Sequence, residues 1–258
     1  MGWKATVVVP KYAAAVRQYR PGWAGASVRL AGASHDVYDE FMLRALTLCT
    51  VLLVISAAQP LRAASPLATR QQALKTIEHP DPAVRRAAVA RLGEVGSMSD
   101  SDRLVTRLRD DDASVRQFAE AALWQIWSRS GDRAIDALLQ SGVQQVGAAQ
   151  PVKALATFSE VIRKKPSFAE GWNKRATIYY LLGQYALSLK DCDEALKRNP
   201  NHFGALSGYG QIYLALGEPD RAQPYLERAL KLNPNMAGVA ATIQLIEQRR
   251  EQRRSRTV

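Results

Sequence analysis

Residues 169–200 read AEGWNKRATIYYLLGQYALSLKDCDEALKRNP, and residues 203–234 read FGALSGYGQIYLALGEPDRAQPYLERALKLNP. With the first residue of each taken as position 1, Trp172, Ala176, Tyr179, Gly183, Tyr185, Ala195 and Pro200 fall at 4, 8, 11, 15, 17, 27 and 32. Leu206, Gly210, Tyr213, Gly217, Ala222, Ala229 and Pro234 fall at 4, 8, 11, 15, 20, 27 and 32. Pro166 stands another 34 residues upstream of Pro200, after a degenerate unit that keeps the register through Leu138, Gly142, Ala154 and Phe158. The logic of the spacing is steric. Small residues at 8, 20 and 27 let two helices approach closely, and large ones at 4, 11 and 24 fill the gaps. Glycine at 15 releases the chain into a turn, and proline at 32 stops the second helix. Such a unit buries its apolar face only against a neighbour, so the array is stable as a stack.

These residues closely resemble the tetratricopeptide repeat, over three units within 132–236. The resemblance implies that positions 2, 5, 9 and 12 of each first helix line a concave groove holding a peptide or a partner protein. Here they are Glu170, Asn173, Thr177 and Tyr180, then Gly204, Ser207, Gln211 and Leu214. Uncharged hydrogen-bonding side chains beside a tyrosine suit an extended backbone whose amides and carbonyls need partners once water is excluded; a solvated polar helix face is the alternative. The charged clamp with which some family members hold an acidic C-terminus is absent. Leu139 and Val143 stand at positions 5 and 9 of the first repeat, Lys174 where asparagine is expected, and Gly204 and Gly208 in place of a basic pair. Arg175 replaces the usual leucine at position 7, and an ion pair with Asp191 or Asp193 on the second helix is expected of it.

Upstream the period changes. Residues 81–96, DPAVRRAAVARLGEVG, align with 112–127, DASVRQFAEAALWQIW, at an offset of 31. Val84, Ala88, Val89 and Leu92 form a helical stripe that Val115, Ala119 and Leu123 repeat. Asp81 and Asp112 are placed to cap these helices, and Pro82 suits a first helical position. Weaker stripes precede each: Leu67, Leu74 and Ile77, then Leu104, Val105 and Leu108. The D-x-x-V-R-x-x-A-x-x-A-L pattern resembles HEAT repeats over 65–131, closest to the short form of phycobilisome-lyase-like proteins. That resemblance implies that Arg85 and Arg116 bridge neighbouring acidic groups, with Asp81 and Asp112 the candidates. Trp124 and Trp127, just ahead of the turn 128–132, are read as core aromatics filling the wedge between the two repeat geometries.

Residues 45–58, ALTLCTVLLVISAA, carry no charge and follow Met42-Leu43-Arg44. A start methionine, one basic residue, a short apolar run and a small-residue exit have the layout of a signal peptide, cleaved near Ala58 or Ala63–Ala64; an uncleaved anchor is the alternative, although a spanning helix needs roughly 20 apolar residues. Segment 42–64 is therefore expected to be a leader and 1–41 an upstream extension or disordered tail. The export reading places the repeats in a bacterial periplasm or outside the cell, or, if the anchor persists, in the periplasm on the inner membrane.

The chain carries 35 basic and 24 acidic residues. Residues 1–64 and the Arg-rich end, EQRREQRRSRTV from Glu247, account for much of that excess, so the body is only mildly basic and the charge argues poorly for nucleic acid. Residues 237–258 read as a capping helix, with Val239, Ile243 and Ile246 as its stripe, followed by a basic tail; weak contact of that tail with an anionic membrane surface is a secondary reading. Two cysteines and three histidines exclude a disulfide scaffold and any His- or Cys-rich metal site. Cys192, at position 24, reads as a buried small hydrophobe. Asp110-Asp111-Asp112 lacks the glycine and glutamate of a calcium loop, and no phosphate loop, zinc spacing or nucleophile elbow occurs.

The sequence thus predicts an all-α protein, a right-handed solenoid of HEAT-like and then tetratricopeptide units with a capping helix. It is expected to be non-catalytic, without cofactor or metal, and to bind a protein or peptide through Glu170, Asn173, Thr177, Tyr180, Ser207, Gln211 and Leu214. The rivals are a lyase- or isomerase-like subunit acting on a bound chromophore, suggested by the HEAT resemblance alone, and a basic nucleic-acid-binding repeat protein if export fails.

Overall fold

Capping and turn chemistry divide the chain into helices where the two periods place them. The computed structural model describes residues 69–255; segment 1–41, the expected leader 42–64, Leu67 and the last three residues lie outside that range. Among the described residues there are eleven α-helices, one short 3-10 turn (Met98–Asp100) and no strand: α1 (Arg70–Thr76), α2 (Pro82–Val95), α3 (Ser101–Arg107), α4 (Ala113–Trp127), α5 (Arg133–Gly147), α6 (Pro151–Lys164), α7 (Ala169–Leu181), α8 (Tyr185–Arg198), α9 (Phe203–Ala215), α10 (Pro219–Leu232) and α11 (Ala237–Ser255). They stack as helix pairs.

The starts are fixed by side chains that satisfy free amides of the first turn. Asp81 accepts from the Ala83 amide, Asp112 from Val115, and Asp132 from Ala134 and Ile135. Thr69 and Gln72 form a reciprocal capping box on α1. The first-to-second-helix turns need a left-handed residue at position 15. Gly183 and Gly217 supply it with φ of 71° and 76°, whereas the degenerate first repeat forces Ala149 to φ 55°. The second helices end ahead of proline at Lys165, Asn199 and Asn233, because a residue before proline is pushed out of helical geometry.

The small residues behave as the spacing demands. A Cβ on Gly142 would come within 2.4 Å of the Phe158 ring, and one on Gly210 within 2.3 Å of Leu226. Cys192 is buried; burial, reinforced by Asp191 and Asp193, pushes its thiol up to about 12 and keeps it inert. Arg175 turns to Asp191, with Nε and a terminal nitrogen 2.7 and 2.9 Å from the two carboxylate oxygens.

Arg85 bridges a neighbouring acidic group, as the resemblance implied, but neither HEAT-like arginine pairs with the candidates Asp81 and Asp112. Arg85 forks onto Asp110 of the next unit (2.8 and 2.6 Å) and also donates to the His79 and Pro80 carbonyls. Arg116, one unit later, donates to Asn235 Oδ1 (3.1 Å) and to the carbonyls of Asp110 and Asp111. Asp81 and Asp112 are occupied as helix caps, which is why they are not the partners. Arg116 therefore finds, in the loop before α11, the acceptor that Arg85 finds in the next HEAT-like loop.

That loop is one part of a larger joint. The core of the HEAT-like pairs, with Leu92, Leu104, Val115, Leu123 and Trp127 inside it, also contains Phe203, Leu206 and Ala229 from α9 and α10. Asn235 Nδ2 donates to the Leu108 carbonyl (2.8 Å), Asn201 Nδ2 to Asp102 Oδ1 (2.8 Å), and Arg109 to the Lys231 carbonyl. The tryptophans fill a junction between the two repeat types, as expected, but their partners belong to the third tetratricopeptide unit.

Two substitutions test this steric account. Ala149→Gly relieves a left-handed alanine and should raise stability by about 0.5–1 kcal/mol. Gly210→Ala drives a methyl into buried Leu226 and should cost about 1–3 kcal/mol. Urea denaturation of the two variants reads both signs.

Candidate partner-binding groove

Residues three or four apart on a helix share a face, so Glu170, Asn173, Thr177 and Tyr180 form one row along α7, and Gly204, Ser207, Gln211 and Leu214 another along α9. The structure divides these rows into a closed half and an open half.

At the closed end, α4 lies against the start of α9. The Trp127 ring stacks on His202 at 4.7 Å, and Trp124 meets His202 and Phe203 edge-on at 5.5 and 5.4 Å. Gly204 is required there, since a Cβ would stand 2.5 Å from the Trp124 ring. His202 Nδ1 accepts the Ala205 amide (3.2 Å) and so caps α9. Nε2 therefore carries the ring proton and donates it to Glu170 Oε2 at 2.9 Å. Glu170 is wholly buried. Its carboxylate also receives Asn173 Nδ2 (3.1 Å) and lies 3.0 Å from Lys174 Nζ, which itself sits over the Trp124 ring at 5.9 Å. Burial alone would raise the Glu170 pKa, but Lys174 and then His202 override it and hold the group down to about 2.

Three of the sequence-predicted residues, Glu170, Asn173 and Ser207, are thus buried, the first two hydrogen-bonded to each other beneath Trp124. The other four are accessible. Thr177 is exposed, its hydroxyl donating to the Asn173 carbonyl (3.1 Å). Tyr180, Gln211 and Leu214 are half-buried, with the Tyr180 ring 5.8 Å from Tyr185. Gln211 Nε2 reaches Ser207 Oγ at 3.5 Å. Sequence reasoning left Trp124, Trp127 and His202 out of the groove. A signal was present: at the offset of 31 the two tryptophans fall on Gly93 and Gly96, so a position kept small between HEAT-like units becomes large where α4 faces another partner. Among the described residues no cluster of three or more His, Cys, Asp or Glu is placed to hold a metal ion.

Comparison with known proteins finds both repeat types. Residues 167–235 match the family model of the tetratricopeptide repeat, and residues 54–124 match that of HEAT repeats; the second match begins inside segment 42–64. The chain is a helical repeat protein carrying both kinds of unit. A TPR repeat-containing protein of Rhizobium etli is 35% identical over 70 residues, which is 27% of this chain and 34% of that protein. The chain therefore spans about a third of the length of the curated relative it matches. Among solved structures, the first TPR domain of human RPAP3 is similar at 22% identity and a TM-score of 0.44, over 47% of this chain and 95% of that one. The Yersinia enterocolitica type III secretion translocator chaperone SycD is similar at 16% identity and a TM-score of 0.45, over 46% and 96%.

The closed end makes a pH prediction. The folded-state pKa of Glu170 lies below its ordinary value of 4.5, so its stabilisation is fully present above about pH 5 and is lost as the pH falls through the folded value near 2. Glu170→Gln should cost roughly 3 kcal/mol at neutral pH. The difference from wild type should shrink progressively in urea titrations between about pH 5 and 2.

Proposed function

We propose that this protein is a non-catalytic adaptor that is exported from the cytoplasm and holds an extended segment of a partner protein in the open half of its groove. One observation carries the reading: Thr177, Tyr180, Gln211 and Leu214 remain accessible on adjacent first helices, whereas Glu170, Asn173 and Ser207, one to two turns earlier, are buried and Gly204 lies against Trp124. A surface whose flanks are already packed presents hydrogen-bonding and apolar groups at fixed spacing, so little ordering entropy is lost on binding. Carbonyls and amides of an extended chain find partners in Thr177 and Gln211, and its side chains find Tyr180 and Leu214.

The export part rests on the uncharged run Ala45–Ala58 behind Arg44. In this reading 42–64 is the leader, 65–131 the HEAT-like wall, 132–236 the three tetratricopeptide units and 237–258 the cap and tail. N-terminal sequencing of protein from its native cells should return a chain starting after Ala58 or Ala64; a cytoplasmic chain beginning at Met1 overturns export.

For the groove, a photoreactive residue placed at Thr177 or Gln211 should crosslink to another protein in cells. The same residue at Ala156 or Ala186, exposed on second helices, should not. Equal labelling at all four positions overturns the groove reading.

A further inference from the structure

Charge is distributed unevenly along the first helices. No Asp, Glu, Lys or Arg occurs between Asp136 and Lys153, between Arg175 and Lys190, between Arg198 and Glu218, or between Lys231 and Glu247. These intervals contain the later turns of α5 and α7, all of α9, the first half of α11 and the turns after α5, α7 and α9. Yet 23% of the chain is charged. Burial accounts for much of α9, but not for the residues that face water. Thr177 is exposed, and Leu181, Leu216 and Leu245 are 40%, 43% and 46% exposed. Leu245 stands on α11 at the position that Thr177 and Gln211 hold on α7 and α9, so the accessible row continues onto the cap. The single exposed leucines Leu181 and Leu216 need no explanation, whereas Thr177, Gln211 and Leu245, accessible at one position on three first helices, mark a contact surface. At the other end of the same rows the charged groups are already consumed: Glu170 is held by Lys174 and His202, and Trp124 covers them.

Resting on the groove reading above, we infer that the open half selects an uncharged, apolar-rich extended segment of a partner protein. The chain's own Lys174, His202 and Asn173, rather than the partner, satisfy Glu170, the charged position of the groove. A charge brought onto the charge-free turns of α7 and α9 loses water and finds no counter-ion within those turns, so the strip disfavours charged segments.

The test uses the full chain and three fluorescent peptides of about twelve residues with blocked ends. One is built from Leu, Ala, Ser and Gln; the others replace the Gln residues with Glu or with Lys. Fluorescence anisotropy should show binding of the neutral peptide, with a dissociation constant that moves less than about twofold between roughly 0.05 and 0.5 M salt. The charged peptides should bind at least about tenfold more weakly. Thr177→Glu and Leu245→Glu should weaken the neutral peptide about tenfold and admit the basic one, with unchanged thermal melts. Gln211→Trp, a neutral block, separates the two readings. A charged peptide that binds as tightly as the neutral one and is displaced by Gln211→Trp overturns this inference and leaves the groove standing. Absence of binding by all three peptides, or binding indifferent to Gln211→Trp, overturns both.

Discussion

The arrangement depends on the packing of Trp124 and Trp127 against His202 and Phe203 above a glycine. It joins two repeat families into one core, because Phe203, Leu206 and Ala229 share their burial with the HEAT-like helices. Edge-on and stacked aromatic pairs at 4.7–5.5 Å contribute about 0.5–1.5 kcal/mol each beyond the area they remove from water. Their larger effect is geometric. With the rings wedged over Gly204, α4 cannot slide along α9, and the hydrogen bonds of Asn201, Arg109, Arg116 and Asn235 around the rim hold one register.

Beneath this joint lies a wholly buried carboxylate, Glu170. A lone buried glutamate would be protonated; this one stays ionised because a lysine, a histidine and an asparagine converge on it. The cluster ties α7 to the start of α9, so the closed half of the groove is rigid while the open half presents side chains with few internal bonds. The division of labour between halves follows from where α4 comes to rest.

Much of this was legible in the residues. The 34-residue spacing of prolines, the glycines at position 15 and the aspartate caps placed nearly every described helix, because each acts through chemistry within a few residues. Arg175 was legible for the same reason: a charge at a core-facing position must find an acid on the paired helix. The assignment of Arg85 and Arg116 to Asp81 and Asp112 failed, since those carboxylates are consumed by helix amides; Arg85 reaches Asp110 of the next unit and Arg116 reaches Asn235 instead. The groove residues were placed on the correct helices, but their accessibility was not legible, because Trp124 reaches Gly204 across about 80 residues of chain and no local period records that contact. Only the replacement of Gly93 and Gly96 by Trp124 and Trp127 in the following unit hinted that α4 faces something other than a copy of itself.

The partner that Arg116 finds in Asn235 has a consequence for how such a chain can change. In an open solenoid each unit touches only its neighbours, so units can be gained or lost by duplication with little penalty. Here the second HEAT-like unit is fastened to both sides of the third tetratricopeptide unit, and the segment between them must span a set distance. Inserting or deleting one 34-residue unit would carry Phe203 and Asn235 out of reach of α4. Gain or loss of a unit between α4 and α9 would therefore break this closure, which an open stack would tolerate.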